Sequence, residues 1–199
     1  MKLPSFLWDF VQKILGAPEY KKQLYRSVLG NNGKLLDFGC ATGHLSDAFI
    51  KDFDYYGIDS NRDAIAEAQH KFLDYPNMHF SNVNLFVRPF GANFFDEILF
   101  CHTAHHVDDQ LFKRLLQEFH YCLKSGGTVH LIDPVLQIND SKQQRFMRWI
   151  DFGRHPRTLN QFYVVLSTSD FQIGKPSFHT PQGALIQDCD YVHIALRKK

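Results

Sequence analysis

Residues 35–46, LLDFGCATGHLS, decide the fold of this chain. The apolar opening predicts a buried strand over 34–38, the glycines a sharp turn, and the residues after Gly43 a helix over 44–53. Gly39 lets the chain leave the strand abruptly. Gly43 lets backbone approach a ligand or packs helix against strand. Sixteen residues beyond Gly43 stands Asp59, at the end of a second apolar run, DYYGID. A carboxylate has no donor and several lone pairs, so at a strand end it suits two vicinal ribose hydroxyls. Ligands of open parallel sheets bind beyond the carboxyl ends of the strands. The helix after the turn is expected to aim its N-terminal amides at them. The combination points to an adenosine-bearing cofactor.

The alternation continues outward. A strand at 55–58 leads to a helix at 62–72 with Ala64, Ile65, Ala68 and Phe72 in one stripe. A short strand at 78–81 follows, then a strand at 94–101 with Asp96 and Glu97 near its start. The helix at 109–123 buries Leu111, Leu115, Leu116, Phe119 and Leu123, and Gly126-Gly127 reads as a tight turn into a strand at 128–132. Such a pattern predicts an α/β, doubly wound, mostly parallel sheet with helices on both faces. Upstream, 5–15 is a helix with Ser5 as N-cap and Phe6, Phe10, Ile14 on one face, and 19–29 a second helix with Leu24 and Tyr25 inward. Downstream, 134–157 is polar and charged. Helical pieces at 141–152 and 158–168 precede two strands, 171–177 and 185–196, joined by a loop with Pro181 and Gly183 and therefore antiparallel.

The chain has 199 residues and is 44% hydrophobic, enough for one core and too little for two large domains. Its 19 phenylalanines serve either that core or an aromatic-lined pocket. Lys+Arg is 22 against Asp+Glu 21, so no basic excess is available to hold a phosphate backbone, and no nucleic-acid partner is expected. Cys40, Cys101, Cys122 and Cys189 form no CxxC pair, which fits a reducing cytoplasm. No apolar run approaches the length of a membrane span and no leader pattern precedes the first helix, so a cytoplasmic protein without stable membrane insertion is expected.

The dinucleotide fingerprint GxGxxG is not met, because Ala41 stands where the middle glycine makes room for a pyrophosphate. There is no GxxxxGK[ST] loop either. A cofactor with a ribose and no phosphate fits better than NAD or ATP. In this setting the chain resembles a class I S-adenosylmethionine-dependent methyltransferase of the small-molecule branch. LLDFGCATG is similar to the family's first motif, with Asp37, Gly39 and Gly43 matched and Ala41 departing from it. YYGIDSN resembles the acidic ribose motif. HFSNVN resembles the segment after the third strand, with Asn82 where an Asp usually receives the adenine amino group and Val83 beside the ring. FFDEILFCHTAHHVDD and LKSGGTVHLIDP resemble the fourth and fifth strands with their loops. The resemblance implies S-adenosylmethionine held by Asp37, Gly39, Cys40, Ala41, Gly43, Asp59, Ser60, Asn82, Val83, Cys101 and His102. It implies a seven-stranded sheet in the order 3-2-1-4-5-7-6 with the last strand antiparallel. Residues 1–30 would form a helical cover of the cleft and 31–199 the methyltransferase domain, in which 134–157 is a substrate-covering insertion.

Methyl transfer needs a base only when the acceptor must lose a proton. His105 and His106 follow the fourth strand and are candidate bases, since imidazole titrates near neutral pH, or else caps of the next helix. Asp133 ends the fifth strand and would orient the acceptor or cap a turn. His102, His105 and His106 have a chelating spacing for a helix, but the segment reads as loop and no HExxH accompanies it, so no metal is expected. Arg145, Arg148, Arg154, His155 and Arg157 are either a receptor for an acidic acceptor or a solvated face. Trp149, Phe152, Phe162 and Tyr163 would offer an apolar wall. The family's [ND]PP[YFW] motif for amide or adenine targets is replaced by CHTAH. A small-molecule acceptor at oxygen, nitrogen or carbon is left, with a monomer or homodimer as the working form. A non-catalytic member of the fold and a nucleotide-dependent oxidoreductase are the alternatives.

Overall fold

The computed structural model describes residues 18–137, 139–142, 145, 153–180 and 190–199. The expected helix at 5–15, the loop with Pro181 and Gly183, and most of the helical piece at 141–152 lie outside these residues. Helix α1 (Pro18–Val28) turns Lys21, Leu24 and Tyr25 inward. The strands β1 (Gly33–Phe38), β2 (Phe53–Ile58), β3 (Met78–Ser81) and β4 (Phe95–Cys101) run parallel. Helix α2 (Arg62–Lys71) connects β2 to β3, and helix α3 (Asp109–Cys122) leads from β4 to β5 (Leu123–Pro134). Helix α4 (Leu159–Leu166) precedes the short strands β6 (Gln172–Ile173) and β7 (Ser177–His179) and the last strand β8 (Tyr191–Arg197).

Each of α2, α3 and α4 starts where a side chain accepts otherwise unpaired amides. Asn61 takes the N–H groups of Asp63 and Ala64, Asp108 that of Leu111, and Thr158 and Gln161 form a reciprocal capping box. The sheet order is β3-β2-β1-β4-β5-β8-β6, with β7 also paired to β8. Only β8 runs against the rest; β6 and β7, each antiparallel to β8, share the direction of β5. This is the expected order, with the sixth strand broken in two.

Side chains alternate across a strand, and that period splits neighbouring residues between two cores. Leu36, Ile98 and Leu131 face a cluster with Phe112, Leu115, Phe119 and Phe162 of α3 and α4. Leu35, Leu99 and Ile132 face the other, with Leu24 and Tyr25 of α1 and Ile65 and Ala68 of α2. Both faces are covered, so the central strands read as continuous apolar runs. Much of the phenylalanine surplus is packing: Phe100 meets Phe38, Phe112 and Phe119 edge to face at 5.3–5.6 Å.

Three expectations are corrected. The segment 44–53 is not a helix but a single 3-10 turn, Ser46–Phe49, because Phe53 is needed in β2 opposite Gly33 and packs there on Phe49. No helix dipole therefore stands behind the glycine turn. Gly126 and Gly127 are not a turn into a strand. They lie inside β5, where the register against β4 shifts between Phe95 and Glu97, and a side chain at 127 would strike the Asp96 carbonyl. The strand expected at 171–177 is interrupted, since Pro176 carries no N–H for the ladder.

Candidate active site

The glycine turn leaves the carboxyl end of β1 in a backbone shape few residues adopt. Gly39 has φ +89°, Ala41 +49° and Gly43 +67°. A Cβ on Gly39 would sit 2.3 Å from the Thr103 hydroxyl, so glycine is required both for conformation and for space. The Gly39 amide donates to the Ile58 carbonyl at 2.8 Å, which ties the turn to the end of β2.

Asp59 follows directly on β2. One carboxylate oxygen accepts the Ala41 N–H at 3.0 Å and the other the Asn61 N–H at 2.8 Å. Each oxygen keeps a second lone pair, which is the set a ribose diol needs. The Asn82 amide donates to the Asp59 carbonyl at 2.7 Å, so its own carbonyl oxygen is turned away from that contact. Asn82 and Ser60 are exposed, and Val83 is half-buried against the core. Cys40 and Cys101 are buried, and burial pushes both thiols well above their usual range. They are neutral linings of the turn and of the end of β4.

Asp37 is half-buried at the end of β1. Its carboxylate accepts the Tyr55 hydroxyl at 2.6 Å, and that hydroxyl also meets the Ser46 hydroxyl at 2.7 Å. Burial pushes Asp37 up to about 6, against the opposing pull of the Tyr55 donor and with help from the Asp59 charge. A carboxyl under such strain gains most from a cation placed beside it. The turn, Asp59, Asn82 and Asp37 together fit an adenosine bearing a cationic tail.

The loop after β4 brings the histidines. His102 has φ +50°, donates its backbone N–H to Ile132 at 2.8 Å, and lies edge-on to Tyr191 at 4.5 Å. Its Nε2 is buried with no hydrogen-bond partner. Burial, then Lys21, holds its pKa well below the ordinary value, so the ring is neutral. Residues Ala104–His106 form a 3-10 turn that carries His105 inward and leaves His106 exposed. His105 Nδ1 lies 3.0 and 3.1 Å from the two oxygens of Asp133. Both residues are buried. Thr103, packed on Gly39, is two residues from His105, so the glycine turn and the His105–Asp133 pair share one sheet edge.

The expected roles of Arg157 and Phe162 do not hold. Arg157 is neither a cleft cation nor a solvated residue: it is buried and bonded to Asp109 and to the backbone carbonyls of Ala104, Val107 and His155. Phe162, on α4, is fully buried in the core beside Phe112. Trp149, Phe152 and Arg148 lie outside the described residues. Among the described residues no three His, Cys, Asp or Glu side chains are placed to hold a metal, and no helix is long and apolar enough to cross a membrane. Sequence reasoning missed Tyr55 and Thr103. Tyr55 pairs in register with Leu35, two residues before Asp37, and only that register shows the contact. Thr103 stood in the quoted CHTAH without a sign of its role.

No curated protein matches the chain by sequence. Solved structures share its fold. A SAM-dependent methyltransferase from Archaeoglobus fulgidus is 15% identical, with TM-score 0.74 over 96% of this chain and 100% of that one. One from Methanosarcina mazei is 19% identical, with TM-score 0.69 over 88% and 97%. Geranyl diphosphate C-methyltransferase from Streptomyces coelicolor A3(2) is 14% identical, with TM-score 0.72 over 91% and 77%. The model of the methyltransferase-domain family matches residues 3–167, well over half of the chain. With that match, the sheet order and the strained glycine turn before an acidic strand end, the chain belongs to the methyltransferase-domain family, among the class I S-adenosylmethionine-dependent enzymes.

Proposed function

We propose that the protein methylates an oxygen, nitrogen or carbon of a small-molecule acceptor that loses a proton as it reacts, with His105 as the base and Asp133 as its orienting partner. The observation that carries this reading is the 3.0 Å contact between His105 Nδ1 and Asp133, both buried beside the glycine turn. S-adenosylmethionine, when bound, supplies a methyl group on a sulfonium that is already a good leaving group.

The chain's own residues then divide the work. Asp59 would accept the ribose hydroxyls and the Asn82 carbonyl the adenine amino group, with Val83 on the adenine side of the site. Asp37, Cys101 and His102 would hold the cationic methionyl end, Gly39, Cys40, Ala41 and Gly43 would allow close approach, and Ser60 would serve the ribose side. With Nδ1–H donated to Asp133, His105 would take the acceptor proton on Nε2, and the Asp133 charge would stabilise the imidazolium. His106, exposed at the mouth, exchanges that proton with solvent. Burial of the pair excludes water and strengthens these interactions. Residues 1–30 and 134–157 cover the cleft and select the acceptor. A small acceptor agrees with the near-neutral charge, which offers no hold on nucleic acid, and with the small molecule named for the Streptomyces relative. The working form is a cytoplasmic monomer or homodimer.

Calorimetry with S-adenosylmethionine and with NAD is the first test. Heat with the former alone is expected, and its absence would overturn the reading. A transfer screen over phenols, quinones, amines and carboxylates then identifies the acceptor, with His105→Ala expected to lose turnover and keep cofactor affinity.

A further inference from the structure

The two members of the His105–Asp133 pair come from separate backbones, the 104–106 turn and the end of β5. A buried hydrogen-bonded pair is sensitive to small shifts, so something must hold those backbones in register. One residue reaches both. The guanidinium of Arg157 donates to the carbonyls of Ala104 at 2.6 Å and Val107 at 2.7 Å, on either side of His105. Its own carbonyl accepts the Leu136 N–H at 2.8 Å, and Val135 bridges to it, two residues beyond Asp133. Asp109 neutralises the guanidinium with contacts of 2.7 and 2.9 Å. The ring of Phe112 lies 5.2 Å from its centre. Close by, the His155 N–H donates to the His105 carbonyl at 2.9 Å. A Cβ on Gly153 would stand 2.4 Å from the His105 ring.

We propose that residues 153–157 act as a clasp in which Arg157, with Gly153 and His155, is the positioning element that sets the imidazole of His105 against Asp133. The inference rests on the reading of His105 as the base. It gives the return limb of the 134–157 segment a task besides covering the cleft. Arg157 touches no reacting atom in this scheme. The guanidinium has five donors in a fixed planar fork and reaches the carbonyls on both sides of the turn together with Asp109, more partners than the three donors of a lysine ammonium can hold. Gly153 contributes by absence, since any side chain there displaces the ring.

Two variants test it. Gly153→Ala leaves the guanidinium network intact and pushes only the ring. Misplacement by about 1 Å costs about 10²-fold in rate, so kcat is expected to fall by that order while the Kd for S-adenosylmethionine stays within about twofold of wild type. Arg157→Ala is expected to lose kcat likewise and to regain part of it when guanidinium ion is added at low concentration. The imidazole nitrogen resonances of His105, followed by 15N NMR, are expected to move in both variants. A merely structural role would not move these resonances at constant fold or permit the chemical rescue. Wild-type kcat and unmoved His105 resonances in Gly153→Ala overturn the clasp, even should Arg157→Ala fail to fold. Unchanged kcat in His105→Ala overturns the base reading itself, so the two failures are distinguishable.

Discussion

Thr103 closes the space over Gly39: a Cβ at position 39 would meet its hydroxyl at 2.3 Å, and that hydroxyl donates to the Cys101 carbonyl at 2.9 Å. The glycine turn and the turn that carries His105 are thereby one packed unit. Gly39→Ala is expected to destabilise the protein by at least about 2 kcal/mol, from positive φ and the clash together. Adding Thr103→Ala should relieve the clash and leave the strain, so the double variant recovers only part of the loss. Urea unfolding of the four proteins in the cycle measures this, and full recovery would show that φ is immaterial.

Asp133→Asn keeps the shape of the side chain and removes its charge. The amide no longer enforces the Nδ1–H tautomer of His105 or stabilises the imidazolium. Turnover is expected to fall by about 10²–10⁴-fold with unchanged affinity for S-adenosylmethionine. Steady-state kinetics at saturating cofactor, paired with calorimetry, checks it. A change in affinity alone would assign Asp133 to binding instead.

Asp59→Ala removes the acceptors of the Ala41 and Asn61 amides as well as the proposed ribose partner. Cofactor binding is expected to weaken by about 1–3 kcal/mol. Calorimetry reads this directly, and wild-type affinity would refute the assignment.

Asp37 titrates near 6 in the fold, against 3.8 ordinarily. The fold therefore prefers it protonated. Its stabilising contribution is present below pH 3.8 and lost as pH rises through 6. Asp37→Asn should then stabilise the ligand-free protein at pH 8 by about 1–2 kcal/mol, after discounting for a half-buried group. The same change should weaken binding of the cationic cofactor. Thermal unfolding with and without S-adenosylmethionine separates the two effects.

A row of side chains crosses four strands away from the glycine turn. Glu97 meets His130 Nε2 at 3.1 Å, His130 Nδ1 meets His193 Nε2 at 3.2 Å, and Ser177 lies between His193 and His179. Burial, with the neighbouring His130 and His179, lowers His193 to about 4. The unfolded chain protonates this histidine near 6.5 and the fold resists it, so stability is present above 6.5 and is lost as pH falls towards 4. His193→Gln should flatten the acid limb of a Tm-against-pH curve, and an unaltered limb would place the acid sensitivity elsewhere.

The strand-turn pattern at 35–46 and the acidic residue at 59 were legible because they are local: a glycine turn needs glycines, and a buried strand needs an apolar run. Asp59 followed from the same spacing, whereas Asn82 and the order of the sheet came from the resemblance to the methyltransferase family. The segment 44–53 misled because its apolar spacing suits a helix, while pairing of Phe53 with Gly33 across β1 and β2 required extended chain. Tertiary contact overrode the local pattern. Arg157 misled for a related reason. Its charge suggested solvent or substrate, and only the fold shows a buried site with enough carbonyls and one carboxylate to satisfy it.

Residues 35–46 by themselves determined that the chain turns sharply off a buried strand, since φ preference and hydrophobic period are properties of the local sequence. Which side chains meet there was decided by the tertiary structure alone. His105 and Asp133 are 28 positions apart, and Arg157 joins their backbones from further along still. Contacts between such distant residues depend on strand order and register, which no window of sequence contains.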